Sequence, residues 1–122
     1  MSSIDPDTAA LSPPDGNPKS KFGIQKCPTH LVPPKAISEE AEVFGLGARK
    51  YGPYNWRDDA VSASVYYAAM LRHLFAWWDG EDVDAESGRT HLAHVRACAA
   101  ILIDAAAHEK LNDDRYVTKK TD

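Results

Sequence analysis

The chain has 122 residues with 18 acidic and 14 basic side chains, which gives a net charge of −4 at neutral pH. This length suits one domain with a modest core, and this charge offers no chain-wide footprint for a nucleic-acid polymer. Cys27 and Cys98 form no CxxC motif or disulfide framework, and no apolar run approaches the roughly 18 residues of a membrane span. We therefore expect a soluble protein of the reducing cytoplasm, without a membrane partner.

The two ends of the chain differ in composition from its middle. Residues 1–21 mix four prolines with Ser, Asp and Gly, and bury too little apolar surface to offset the entropy of ordering. Three further prolines interrupt the apolar stretch at 22–34, which should run extended over the surface. Residues 108–122 are charged and lose periodicity, which indicates a fraying tail. The sequence thus predicts an extended N-terminal arm, a domain over 22–107 and a charged C-terminal tail.

Three helical patterns fill the middle of the chain, at residues 35–50, 60–78 and 86–107. The first ends where Gly52 and Pro53 require it, and the second has Asp58 or Asp59 as a candidate N-cap. The expected core positions are listed by helix: Ile37, Ala41, Phe44 and Ala48; Tyr67, Leu71, Leu74 and Trp78; Leu92, Val95, Ala99, Leu102, Ile103 and Ala106. Three helices without a convincing strand predict an all-α bundle.

The second helical pattern has no fully polar side. Val65, Ala69 and Ala76 place small apolar side chains beside Arg72 and His73, opposite the expected core face. A helix that is covered on both sides requires a second partner. We therefore expect a homo-oligomer, a dimer or a tetramer, to complete the bundle.

An acidic stretch lies between the second and third helices. It reads "GEDVDAESGRTHLAH" and contains these candidate ligands: Glu81, Asp82, Asp84, Glu86, His91 and His94. The connection at 79–86 is short, so the two helices should be antiparallel neighbours, and His73 should converge with His91 and His94. Imidazoles with carboxylates suit Mn²⁺ or Zn²⁺, and carboxylates alone suit Mg²⁺. The alternative is a solvated acidic turn beside histidines on a helix edge.

A second cluster of functional residue types occupies 47–59, "GARKYGPYNWRDD". It combines three cations with aromatic and amide side chains around a Gly-Pro turn: Arg49, Lys50, Arg57, Tyr51, Tyr54, Asn55 and Trp56. Cations bind phosphates, rings stack on bases, and an amide can read a base or sugar edge. The alternative is a helix C-terminus that favours cations through its dipole, followed by a turn with packed aromatic residues.

Five motifs in register give the chain a resemblance to a known family. "LVPPKAI", "GARKYGPYNWR", "RHLFAWWDGE", "DAESG" and "HLAH" together resemble the dATP/dGTP diphosphohydrolases of phages and bacteria, a MazG-like group that includes MazZ. The resemblance covers about residues 22–105. It implies an all-α oligomer that uses a divalent metal, Mg²⁺ or Mn²⁺, to hydrolyse purine deoxynucleoside triphosphates to monophosphate and pyrophosphate. In a phage it would work in the host cytoplasm, where dGMP can serve 2-aminoadenine synthesis.

The resemblance leaves two arrangements of metal ligands. MazG-type enzymes use an ExxE pair on one helix and an ExxD pair on the next, which Glu39 and Glu42 followed by Glu81 and Asp84 resemble at a longer separation. Matching the metal-bearing hairpin to the second and third helices instead places the ExxD position on His91 and His94. We favour the acidic turn because it agrees with the antiparallel geometry, so the expected ligands are these: Glu81, Asp84, Glu86 and His91.

Roles for the remaining site residues follow from the resemblance. Lys50 and Arg72 would stabilise charge on the pyrophosphate, and His73 or His94 would act as ligand, general base or orienting group. The expected catalytic residues are Glu86, His73, His94 and Arg72. Trp56 or Tyr51 would stack on the purine, Asn55 would read its edge, and Arg57 and Lys26 would contact the substrate. Two rivals remain: a nucleotide-binding helical module without turnover, and a metal-dependent nucleotide phosphatase.

Overall fold

The computed structural model describes residue 12 and residues 14–117, and divides the chain into two compact units at the Pro33/Pro34 boundary. Its regular structure is helical apart from one small pair of strands, which confirms the all-α class. None of the helices in the described ranges is long and apolar enough to cross a membrane.

The first unit contains one short helix and one turn of 3₁₀ helix. Helix α1 spans Pro18–Gly23, where the Asn17 side chain accepts a hydrogen bond from the Lys19 N–H, and the 3₁₀ turn spans Thr29–Leu31. The expectation of an extended segment is wrong at these two places, because an Asn-Pro pair is a strong start signal for a helix. The beginning of the predicted arm, residues 1–11 and residue 13, lies outside the described residues.

The second unit contains three long helices: α2 at Pro34–Tyr51, α3 at Ala63–Trp78 and α4 at His91–Ala107. The prediction for α2 is confirmed to within one residue at each end. Helix α4 begins five residues later than expected, at the residue after Thr90, whose hydroxyl caps the helix by accepting from the Ala93 N–H. The connection between α3 and α4 therefore spans 79–90 and has room for ordered structure of its own.

The predicted N-cap of α3 is wrong. Asp58 follows a 3₁₀ turn at Asn55–Arg57, and the residue that precedes α3, Ser62, makes no side-chain cap. Asp114 from the end of the chain provides the cap instead, since its carboxylate accepts the Ser64 N–H at 2.8 Å and also the Ser64 hydroxyl. A carboxylate at this position satisfies an otherwise unpaired N–H and complements the helix dipole.

The C-terminal segment is docked where the sequence suggests fraying. Strand β1, Val61–Ser62, pairs in parallel with strand β2, Leu111–Asn112, in the register Val61↔Leu111 and Ser62↔Asn112. Together with the Asp114 cap, this pairing holds the segment after α4 against the start of α3. Residues 118–122 of the predicted tail lie outside the described residues.

Helix α4 is the central helix of the second unit and packs against both α2 and α3. Its buried side is a stripe of Ala93, Ala97 and Ala105, with His91 at its N-terminal end. Alanines at four-residue spacing allow neighbouring backbones to approach closely. The predicted core stripe is wrong at Leu92 and Ile103, which are 41% and 73% exposed.

Two residues of the α3 face that the sequence assigns to the core, Tyr67 and Trp78, lie on the surface of the single chain, whereas Leu71 and Leu74 are partly buried. Tyr67, Phe75 and Trp78 are 58%, 63% and 80% exposed, and we call them the α3 outer face. No large side chain among the described residues is fully buried. The isolated chain therefore exposes more large apolar side chains than it encloses.

Candidate functional site

Three histidines meet where α3 and α4 approach the connection that joins them. His73 Nδ1 lies 2.8 Å from His91 Nδ1, and the His73 and His94 rings stack at 4.3 Å between centroids with only 2° between planes. We call these three residues the histidine cluster. The prediction that one histidine of α3 converges with two of α4 is confirmed.

The connection at 79–90 directs Asp84 toward the histidine cluster. The Asp84 N–H donates to the Arg89 carbonyl at 2.9 Å, and the Asp84 carbonyl accepts the Gly88 N–H at 2.7 Å. Gly88 has φ +72°, which closes this turn in a conformation that glycine adopts without strain. The Asp84 carboxylate consequently lies 3.6 Å from His94 Nε2.

The pKa values of His73 and His94 favour neutral imidazoles beside an ionised Asp84 carboxylate. Burial, followed by the neighbouring His94 and His91, lowers the pKa of His73, and burial also lowers the pKa of His94. Burial opposes ionisation of Asp84, but hydrogen bonds from the Glu86 N–H and the Ser87 hydroxyl lower its pKa overall. Metal ligation needs these protonation states.

His73, Asp84 and His94 fit a divalent metal ion, and we call them the ligand trio. They offer ligand atoms that all lie within 4.8 Å of one another. Two imidazoles and a carboxylate suit Mn²⁺ or Zn²⁺ and can also accept Mg²⁺ through oxygen and water. Three protein ligands leave coordination positions for water and substrate.

The ligand trio differs from the expected metal set in all but Asp84. His91 is 5% exposed and its Nδ1 already faces His73, while its buried Nε2 lies 3.3 Å from a Glu81 oxygen without forming a hydrogen bond. Glu86 is exposed, and its backbone N–H donates to Asp84. The structure thus places His91 and Glu81 behind His73, and Glu86 beside Asp84.

Glu39 and Glu42 on α2 pair with residues at the start of α4, although Glu42 is also exposed to solvent. Glu39 accepts a hydrogen bond from the Thr90 hydroxyl at 2.9 Å, and Glu42 lies 3.3 Å from Arg89. Their carboxylates are already paired and neither belongs to the ligand trio. Their contacts favour a role in holding α2 against the α3–α4 hairpin.

A groove of about 830 Å³ runs between the end of α2, the turn that follows it, and α4. Tyr51, Tyr54, Asn55 and Trp56 line one side, and His94, Cys98 and Asp104 contribute to the other. His94 belongs both to the groove wall and to the ligand trio, so the groove and the candidate metal site share this side chain. The structure brings the two sequence clusters together at this residue.

Trp56 and Arg57 are engaged within the protein. Trp56 is only 7% exposed, and its indole N–H donates to Asp104 at 2.7 Å. Arg57 donates to both oxygens of the same carboxylate, at 2.8 and 2.9 Å. The expectation that Trp56 stacks on a base does not fit this burial, and Arg57 has a carboxylate partner in place of a phosphate.

Two other cations act electrostatically on histidines of the cluster. The charge of Lys50 contributes to the lowered pKa of His94, and Arg72 contributes to that of His73. Both side chains are exposed, so they are available to an anionic ligand. Lys26 belongs to the first unit, where it lines a cavity of about 470 Å³ with Cys27 and His30.

Sequence reasoning missed Asp104 and gave Tyr54 no role of its own. Asp104 is a single carboxylate within the apolar "ILIDAAA" stretch, and that isolation was the available signal. Tyr54 was recognisable only as one of several aromatic residues in its turn.

Comparisons with known proteins identify the family. The dATP/dGTP diphosphohydrolase, N-terminal, family matches residues 16–115. A protein of Salmonella phage PMBT28 named dATP/dGTP diphosphohydrolase is 30% identical over 95 residues, which cover 78% of this chain and 32% of that protein. The chain thus spans about a third of the length of this relative. No solved structure matches. Since the family match covers most of the described residues and both sequence clusters, the chain belongs to the dATP/dGTP diphosphohydrolase N-terminal family.

Proposed function

We propose that the chain hydrolyses purine deoxynucleoside triphosphates, dGTP or dATP, to the monophosphate and pyrophosphate with the help of Mg²⁺ or Mn²⁺. The observation that carries this proposal is the ligand trio beside an aromatic groove, with His94 belonging to both. A relative named dATP/dGTP diphosphohydrolase supports the same substrate class.

The ligand trio would hold the metal through His73, Asp84 and His94. Bound there, a divalent cation would neutralise phosphate charge and acidify a coordinated water. The lowered pKa values of both histidines keep their nitrogen lone pairs available near neutral pH.

His91 and Glu81 would orient the trio from behind. We assign the proton between the two Nδ1 atoms to His73, so that His73 Nε2 is free to bind metal. His91 then carries its own proton on Nε2, which faces the Glu81 carboxylate at 3.3 Å. Metal-binding histidines commonly donate their second N–H in this way, which fixes the ring and raises its basicity.

Lys50 and Arg72 would stabilise negative charge on the phosphates. Each acts on one histidine of the trio, so both charges lie near the place where the triphosphate must bind. Fixed cations are most effective where charge develops during the reaction. Asn55 on the groove wall supplies an amide for the base or the sugar.

A product assay tests this function. The chain is incubated with each deoxynucleoside triphosphate and Mg²⁺ or Mn²⁺, and products are separated by ion exchange. Pyrophosphate with the monophosphate supports the proposal, and a dGMP product fits the supply of 2-aminoadenine synthesis in a phage-infected cytoplasm. Release of inorganic phosphate alone would instead identify a nucleotide phosphatase. Binding without product would identify a binding module.

A second copy of the chain would cover the α3 outer face. Among the described residues, the buried apolar side chains are one tryptophan and four alanines, a small core for this length. Pairing the exposed rings of Tyr67, Phe75 and Trp78 across a two-fold axis would enlarge it. We expect a dimer or tetramer by light scattering, and a smaller species for a Phe75→Ser, Trp78→Ser double variant. A monomeric wild-type chain would contradict this assembly.

A further inference from the structure

Tyr54 is held in an unusual backbone conformation at the mouth of the groove. It has φ 56° and ψ 31°, in the left-handed region that non-glycine residues seldom occupy. Its ring is 56% exposed and lines the groove. A strained residue persists only where the surroundings over-determine its position, and such residues concentrate at ligand sites.

The surroundings of Tyr54 fix one side of its ring. The Arg57 guanidinium lies over the ring at 4.4 Å from the centroid, and Trp56 packs against it at 5.3 Å between centroids. Trp56 in turn contacts Phe44 of α2 at 5.6 Å. Tyr54 nevertheless stays more than half exposed and lines the groove.

Asp104 holds both residues that fix Tyr54. One carboxylate on α4 accepts the indole N–H of Trp56 and two N–H groups of Arg57. The Arg57 guanidinium and the Trp56 indole keep the pKa of Asp104 well below its usual range, so the carboxylate stays charged in the folded protein. The paired N–H bonds from Arg57 also set the plane of the guanidinium over Tyr54.

We propose that Tyr54 is the surface on which the nucleotide base stacks, and that Asp104 is the positioning residue that holds it there through Arg57 and Trp56. This inference rests on the proposed function for the identity of the ligand. Every base has a flat face that can stack on an aromatic ring, whichever hydrogen-bonding groups its edge carries. Tyr54 therefore contributes affinity for the base and none for the triphosphate. A ring already ordered before binding loses little freedom when the ligand arrives.

Tyr51 is the rival in the same groove. It is 70% exposed at the last residue of α2, and no aromatic ring or cation of the described residues stacks on it. Its side chain must be ordered by the ligand itself. We therefore expect Tyr51 to contribute less than Tyr54.

The test compares two ligands by calorimetry at fixed Mg²⁺ and at a temperature where turnover is slow: dGTP, which has a base, and inorganic tripolyphosphate, which has none. Tyr54→Ala should weaken dGTP binding about ten-fold, the size of one base–aromatic stack, and leave tripolyphosphate binding unchanged. Tyr54→Phe should restore dGTP binding. Tyr54→Gly, which relaxes the backbone, should behave like Tyr54→Ala.

Asp104→Asn should show the same selective loss in smaller degree, with KM for dGTP rising and kcat retained. Tyr116→Ala, which removes a fully exposed tyrosine, is the matched control and should change neither ligand. Equal weakening of both ligands, or a larger loss in Tyr51→Ala than in Tyr54→Ala, would overturn the proposal. These binding readouts are independent of product identity, so the product assay can fail while Tyr54 still discriminates dGTP from tripolyphosphate, and the reverse.

Discussion

The histidine cluster, through His94, and the Tyr54 turn both contribute to one groove, yet they are ordered by different means. The cluster is local: one hairpin of α3 and α4 brings His73, His91 and His94 together. The Tyr54 turn, residues 53–57, depends on a carboxylate nearly fifty positions later in the chain, Asp104. The histidine cluster is therefore specified by the geometry of one hairpin, whereas the Tyr54 turn depends on packing between distant parts of the chain.

The largest expected effect comes from removing a member of the ligand trio. Asp84→Ala and His94→Ala should each reduce kcat/KM for dGTP more than about 100-fold, beyond the loss typical of residues that only support ligands. Mn²⁺ binding, measured by calorimetry on the same variants, should weaken in parallel. The Tyr54 turn should be unaffected, so the near-ultraviolet circular dichroism should remain that of the wild type.

His30→Ala is the control for the histidine substitution, because His30 belongs neither to the ligand trio nor to the groove wall. Loss of the folded signal together with activity in both trio variants would assign Asp84 and His94 a structural role instead.

A smaller effect is expected for Glu81, which faces His91 and is not a member of the ligand trio. Glu81→Gln keeps the shape of the side chain but removes the charge that faces His91 Nε2. Mn²⁺ affinity should fall about 10-fold, in the range observed when an outer partner of a metal-binding histidine is lost. Asp79→Asn, an exposed change at the end of α3, is the matched control. A loss as large as that of Asp84→Ala would make Glu81 a direct ligand, as the sequence first indicated.

The smallest expected effect is on stability, which should depend on pH differently at the histidine cluster and at Asp104. His73 and His94 have pKa values below the ordinary 6.5, so the unfolded chain binds protons that the folded chain does not. The metal-free protein should therefore lose stability as pH falls below about 6.5, until the lowered pKa values are reached. Asp104 has a depressed pKa, so its contribution holds above about 3.9 and is lost only at lower pH.

Chemical denaturation at a series of pH values measures the free energy of unfolding in both pH ranges. His94→Gln should reduce the pH dependence of this free energy below 6.5, and Asp104→Asn should reduce it only in the more acidic range. If both variants changed the same pH range equally, the histidine cluster and Asp104 would not contribute to stability separately, which would contradict this prediction.

Much of this fold could be predicted from the sequence because its signals are local. Helix α2 begins and ends where proline and glycine require, and the short acidic connection implied that His73 would meet the two histidines of α4. The same reasoning placed cations and aromatic residues at the end of α2, where the groove is found.

The errors share a physical cause, which is that periodicity cannot tell which apolar side faces the partner. Tyr67 and Trp78 form an apolar stripe on α3, but that stripe is exposed, and α4 buries alanines instead of Leu92 and Ile103. Trp56 has the composition expected of a base-stacking residue, yet packing encloses it.

The sequence by itself determined the helices, the family resemblance and the meeting of three histidines, because turn residues and helical spacing act over a few positions. Only the tertiary structure decided which acid joins the histidines, since Asp84 is directed by hydrogen bonds within its own loop. It also decided the caps and clamps supplied by Asp114 and Asp104, each bonded to a partner nearly fifty residues away. Such contacts depend on how whole helices pack against one another, and no short segment of the sequence determines that packing.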